Sequence, residues 1–353
     1  MALADQSIRS YASICSYAEY FQTAWDEYVL RHPQGTLFHL TAWKRVIEKA
    51  FGYRSHYLFL EEDGVVRGVL PLFLVSSPVQ GRSLISTPFA VYGGACADDE
   101  QAARKLRAAA CRIAEEQGVQ YLELREQATI ADPGFLTKDL YYAFDLEFPE
   151  SVEELQKSFP RDTRYMIRKA QKIGLRAQLD AGQLDVFYDI LAHSYHHLGT
   201  PVLPKRLFRI ILDEFREDCE LLTIWHQTKA VAAVLSFRFR DWILPYFGGS
   251  YLESRALAAN NFMYWEVMKH GMETGAHFFD FGRSKLGTGA YAFKTQWNMR
   301  QRALPYQFYL VRRKTMPNFS PANPKFGASI ALWKAMPVGL TKMLGPQVIR
   351  WFP

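Results

Sequence analysis

Cysteine is scarce in this chain. The four present, Cys15, Cys96, Cys111 and Cys219, are scattered, with no CxxC pair and no metal-ligand spacing. That excludes a disulfide framework and fits a reducing compartment with structural thiols. No uncharged apolar run approaches the roughly 20 residues needed to cross a bilayer. Nor does the N-terminus read as a secretory signal, because Asp5, Arg9, Glu19 and Asp26 leave no apolar core there. The expected location is cytoplasmic, with peripheral contact at the inner membrane left open.

What the chain has in quantity is apolar and aromatic. Of its 353 residues 49% are hydrophobic and 22% charged, enough to bury a sizeable core in two domains. The 25 Phe and 19 Tyr point to strands and lined pockets. A net charge of +6 favours anionic partners, among them nucleic acid, nucleotide phosphates and acidic membrane surfaces.

Two halves of the chain repeat one order of elements. The first has a hairpin (Leu58–Glu61, then Val65–Val75, around Asp63-Gly64), Tyr92-Gly93-Gly94, a helix over about 100–117 and the strand Tyr121–Arg125. The second has strands over about 221–226 and 230–240, Phe247-Gly248-Gly249, a helix over about 260–273 and the strand Phe278–Phe281. The helix ends align most closely, Glu116-Gln117-Gly118-Val119-Gln120-Tyr121 against Glu273-Thr274-Gly275-Ala276-His277-Phe278. Each glycine suits a helix C-terminus, where a left-handed residue is needed. The expected fold class is α+β: a tandem duplication of an antiparallel hairpin region followed by a β-α-β crossover, with mixed sheets.

Between the halves, 151–174 reads as helix interrupted at Pro160, which can open a new helix at its first position. Arg161, Arg164, Arg168 and Lys172 then share one face, with Phe159, Met166, Ala170 and Ile173 opposite. That face is either a solvated helix surface or a track for phosphates on a polyanionic substrate. Further on, 186–215 reads as helix broken at Gly199-Thr200-Pro201, with His193, His196 and His197 just before the break. No HExxH and no cysteine ligand accompanies them, so no metal is expected and the histidines read as lining a substrate loop.

The densest chemistry lies in 278–297. An aromatic strand ends at Asp280, a glycine-rich turn carries Arg283, Ser284 and Lys285, and an aromatic stretch with Tyr291 and Phe293 presents Lys294. Such a cradle suits an anion or a carbonyl acquiring negative charge. Lys294 reads as a charge-assisted donor to an oxyanion or as an exposed strand lysine; Asp280 reads as acceptor of an amine proton or as a cap on the turn. The glycines 282, 287 and 289 make no dinucleotide or Walker loop, and 290–297 reads as strand, so neither NAD nor ATP is expected.

The basic helix Arg164-Tyr165-Met166-Ile167-Arg168-Lys169-Ala170, the Gly-ended helix before Phe279-Asp280-Phe281-Gly282-Arg283-Ser284, and the closing Phe293-Lys294 resemble the Fem family. With Gly199-Thr200-Pro201 and the 280–297 signature, the resemblance extends to the FemAB-related branch associated with PEP-CTERM/exosortase systems, over about residues 20–315. It implies two tandem GNAT-like domains, 1–148 and 149–315, with the active site in the second and an apolar, basic tail at 316–353. It implies an N-acyltransferase moving an aminoacyl or acyl group to an amine on a cell-envelope or exopolysaccharide precursor, with no bound cofactor and with aminoacyl-tRNA or acyl-CoA as donor. Lys294 would then lie near the reacting carbonyl, and Arg164 and Arg168 near the acceptor's phosphates or sugar. Asn298 stands where the family often has Gly, and the interval from Gly174 to Leu221 is too short for the helical arm with which some relatives contact tRNA.

Two other functions fit the same residues: an acyl-CoA-dependent N-acetyltransferase, and a non-catalytic protein binding polysaccharide or lipid-linked intermediates through the basic helix. In the tail, Leu332, Trp333, Leu340, Met343 and Trp351 mix with Lys334, Lys342 and Arg350. It either docks on the protein's own core or contacts an anionic membrane.

Overall fold

The computed structural model describes residues 12–317 and 327–353; the N-terminal charges Asp5 and Arg9, and Phe326 of the tail, lie outside the described residues. The chain forms two compact units, each discontinuous in sequence. Of the described residues, one comprises 12–44, 53–137 and 306–316, the other 45–52, 138–305, 317 and 327–353.

In the first unit a meander of Ala12–Ser16, Leu58–Glu62 and Val65–Leu70 is antiparallel throughout. The expected long strand 65–75 is two strands, Val65–Leu70 and Phe73–Ser77, because Pro71 between them cannot donate to a ladder. Gly81–Ile85 then pairs in parallel with Tyr121–Arg125, and the helix Glu100–Glu116 makes the crossover. Asp99 caps that helix, its Oδ1 accepting from Ala102 N at 2.7 Å. At the centre of this unit Arg107, Glu126 and Gln307 form a buried polar cluster, with 2.8 and 2.9 Å bonds from Arg107 Nη1.

The second unit repeats the scheme. Leu175–Leu179, Cys219–His226, Lys229–Phe239 and Trp242–Ser250 run antiparallel in that order, and Trp242–Ser250 then pairs in parallel with Phe278–Lys285 across the helix Ala259–Glu273. The aligned helix ends close alike in the two units. Gly118 and Gly275 both have positive φ, +56° and +86°, and the next residue's N–H reaches five residues back, Val119 to Ala114 and Ala276 to Gly271. That is one C-capping motif used twice.

Each repeat ends in a strand that the other unit uses. Leu136–Glu147 follows the first crossover but pairs antiparallel with Phe278–Lys285, and most of it belongs to the second unit. Arg300–Leu310 follows the second crossover, and its Tyr306–Leu310 pairs antiparallel with Tyr121–Arg125 in the first.

The helices Val152–Ser158 and Arg161–Ile173 flank Pro160, which is the N-cap of the second and not its first helical residue. The tail forms two helices, Gly327–Ala335 and Val338–Ile349. They pack within the second unit: Met336 O accepts from His196 Nε2 at 2.9 Å and Lys342 Nζ donates to Asp189 at 2.5 Å. Leu332 and Met343 stay exposed on them, each at 66%.

Candidate active site

The candidate site lies in the second unit, where its two crossover strands part. Trp242–Ser250 and Phe278–Lys285 share only the pairs Trp242–Phe278 and Ile243–Phe279, and the ladder between them goes no further. On the other edge of Phe278–Lys285 the register slips. Asp280 faces Asp145 and Arg283 faces Ala143, so Phe281 and Gly282 together oppose the single residue Phe144. This is a β-bulge, with Gly282 at φ +68°, a backbone state that glycine adopts without steric cost.

The bulge corrects two readings of the sequence. The strand does not end at Asp280 but runs to Lys285, so Arg283, Ser284 and Lys285 pair with Ala143, Tyr142 and Tyr141 and do not sit on a turn. The segment expected as a second strand is a helix, Gly289–Thr295. Thr288 caps it, accepting from Tyr291 N at 3.3 Å, while Phe293 and the fully buried Trp297 pack at its end, ring centroids 6.1 Å apart. Thr163 Oγ1 ties the start of the basic helix to the same place, donating to Gln296 O at 2.6 Å. Asn298 has φ +53°, which explains how it stands in a glycine-type position: asparagine enters the left-handed region more readily than other side chains.

These elements converge on Lys294. Its ammonium donates to the carbonyl oxygens of Phe281, Gly282 and Arg283 at 2.5, 3.2 and 3.1 Å. It also lies 5.0 Å from the Phe281 ring centroid and 5.8 Å from that of Phe144. The residue as a whole is half-buried, but the charged end is enclosed. Burial pushes its pKa down to about 7, against the pull of the Asp280 carboxylate and aided by the Arg283 guanidinium. Asp280 is buried and its Oδ1 accepts from Gly282 N at 2.7 Å, which helps hold the bulge.

The remaining candidates lie on the strand, the short helix and the basic helix just described. Arg283 stacks over Tyr141, 4.7 Å to the centroid. Ser284 is buried, and its hydroxyl finds no hydrogen-bond partner among the described residues. Tyr291 lies edge-on to Tyr142 and Phe144 and donates to Gln301 at 2.8 Å. Arg161 and Arg168 are exposed, while Arg164 is half-buried with its Nε enclosed.

Two groups went unrecognised in the sequence. Phe144 and Tyr142 reach the site on a strand that local pattern assigns to the first repeat. Tyr264 packs on Phe281 and Phe293, ring centroids 4.5 and 5.8 Å away. Burial raises both Tyr264 and its neighbour Tyr195 to about 12, so these phenols are hydrogen-bond donors at neutral pH. Tyr264 falls in an aromatic helix, where nothing local separates it from core. Among the described residues no group of three or more His, Cys, Asp or Glu is arranged to hold a metal ion.

Residues 157–295, which include Lys294, match the family model described as an acetyltransferase (GNAT) domain. No protein of curated function matches the chain. Among solved structures the chain is similar to FemX, at 18% identity over 85% of this chain and 98% of that one, with a TM-score of 0.67. It is similar to the C-terminal domain of a protein named as a lysylphosphatidylglycerol synthetase from Agrobacterium fabrum, at 14% identity over 94% and 96%, TM-score 0.55. A tandem GNAT protein from the clavulanic acid biosynthesis pathway matches at 10% identity over 84% and 98%, TM-score 0.52. With its GNAT domain match and the mixed-sheet α+β architecture it shares with these structures, the chain is an acyltransferase of the GNAT fold.

Proposed function

We propose that this protein transfers an acyl or aminoacyl group to an amine on an anionic cell-envelope or exopolysaccharide precursor, using the site around Lys294. The observation that carries the reading is a lysine enclosed at a β-bulge beside parted strands, inside the segment that matches an acetyltransferase domain. In the reaction the acceptor nitrogen attacks the acyl carbonyl, a C–N bond forms and the carbonyl oxygen takes the negative charge. The C–O or C–S bond to the donor then breaks, and the amine gives up a proton.

Lys294 has three N–H groups and three carbonyl acceptors within reach, so an oxyanion has to displace one of them to be stabilised. The exchange replaces a neutral acceptor with a charged one in an enclosed site, where charge-assisted bonds are stronger. Asp280, adjoining the bulge, orients or accepts the amine proton. Arg161, Arg164 and Arg168 face the acceptor's phosphates or sugar, Arg283 and Ser284 serve the donor side, and Tyr291 and Phe293 wall the site.

The donor is an activated ester or thioester, and the two sources are aminoacyl-tRNA and acyl-CoA. The GNAT match favours acyl-CoA; the resemblance of the basic helix and Phe293-Lys294 to the Fem family favours aminoacyl-tRNA. Purified protein offered each labelled donor separately, with aminosugar or lipid-linked acceptors, decides between them. Transfer from neither donor by folded protein would overturn the reading. Salt-sensitive binding of acceptor without product would favour a non-catalytic binding protein.

A further inference from the structure

The second unit has another concavity that the acyl-transfer reading does not use. A cavity of about 260 Å³ is lined by His193, His196, His197, Tyr251, Glu253 and Lys334. The histidines come from the last two turns of Leu184–Leu198, Tyr251 and Glu253 from the turn after Trp242–Ser250, and Lys334 from the first tail helix. The tail therefore supplies a wall. A Cβ at Gly199 would lie 2.8 Å from Lys334 Cε and 2.6 Å from Ile330 Cγ2, so the lysine stem is pressed onto the end of the histidine helix.

The charges around the cavity leave a positive excess. Asp189 is engaged by Lys342 at 2.5 Å and by the Tyr251 hydroxyl at 2.6 Å. Burial alone would raise its carboxyl, but these two donors hold it below the usual range. Glu253 pairs with Lys229 at 3.2 Å and is held low by its own backbone N–H and by that lysine. Against these two compensated acids stand Lys334 and three imidazoles. His193 Nδ1 lies 2.9 Å from Asp189 O and His196 Nε2 2.9 Å from Met336 O. A carbonyl can only accept, so each of these nitrogens carries the proton. The other nitrogen of each ring gains an N–H when the imidazole is protonated.

We propose that this cavity binds a phosphate anion, gripped by His193, His197 and Lys334 and closed on one side by the tail. Leu252 lines the cavity and is 49% exposed. A phosphate carried on an amphiphile would meet apolar surface there, so the source is a lipid headgroup or a soluble phosphodiester.

The test needs no acyl donor, so it stands or falls apart from the transferase reading. Imidazole ¹⁵N–¹H spectra of the full chain are recorded while glycerophosphoglycerol is added, a soluble diester whose charge stays fixed between pH about 5.5 and about 8. The expected result is saturable shifts at His193 and His197. His197→Gln and Lys334→Gln, both at exposed positions, should each weaken binding about threefold or more with the amide spectrum retained. Vesicles of phosphatidylglycerol and of phosphatidylcholine then separate the sources. Tighter, variant-sensitive binding to the anionic vesicles identifies a lipid headgroup, and no gain over the soluble diester identifies a soluble one. No histidine shift with either probe, or shifts of equal size in both variants, would overturn the proposal.

Discussion

A lysine enclosed against three carbonyl oxygens keeps its charge at a cost in solvation, and its pH behaviour follows. In the folded chain Lys294 releases its proton near pH 7, whereas the unfolded chain holds it to about 10.5. Between those values the unfolded state binds more protons, so this residue's contribution to stability rises with pH, and its penalty is fully present below 7. Activity runs the other way. If the ammonium is the donor to the oxyanion, kcat falls as pH rises through about 7, and Lys294→Arg, which stays charged, flattens that limb. Lys294→Ala should lower kcat by about 10²-fold, roughly 3 kcal/mol, with the fold retained. Full activity in that variant would remove Lys294 from the chemistry. The Phe293-Lys294 pair stood out in the sequence through its resemblance to the Fem pattern. The three carbonyls were not, since a bulge depends on register with a strand about 140 residues away.

At the scale of elements, the repeat was readable from its punctuation. Gly118 and Gly275 mark equivalent helix ends, and both need a left-handed residue. Replacing either by alanine should cost about 1 kcal/mol, measured as a lower urea midpoint with unchanged slope. The helix Gly289–Thr295 was misread because Ala290-Tyr291-Ala292-Phe293 alternates small and aromatic residues with the period of a strand. Its seven residues are too short to reveal a helical period. The cap at Thr288 was the available signal. What holds this short helix is the anchor beyond its end. Trp297→Ala should destabilise the protein by about 3–5 kcal/mol and broaden the signals of 289–295.

For the molecule as a whole, composition and element order were enough for the fold class, while strand partners were not. Leu136–Glu147 has the aromatic content of a strand, and nothing local states that its partner is Phe278–Lys285. Expressed alone, residues 1–148 would lack Tyr306–Leu310 and residues 149–353 would lack Leu136–Glu147. Each piece should therefore be protease-sensitive by itself, with resistance restored when the two are produced together. Two independently resistant pieces would contradict this.

The same exchange sets a timetable for synthesis. Residues after 147 leave the ribosome at about 5–20 per second, so the strand that completes the first sheet emerges roughly 10–30 s after that sheet's other strands are made. Through that interval Tyr121–Arg125 offers an open edge that can recruit a neighbouring nascent chain. This protein's yield should accordingly depend on how quickly translation reaches residue 310, and on what chaperones cover until then.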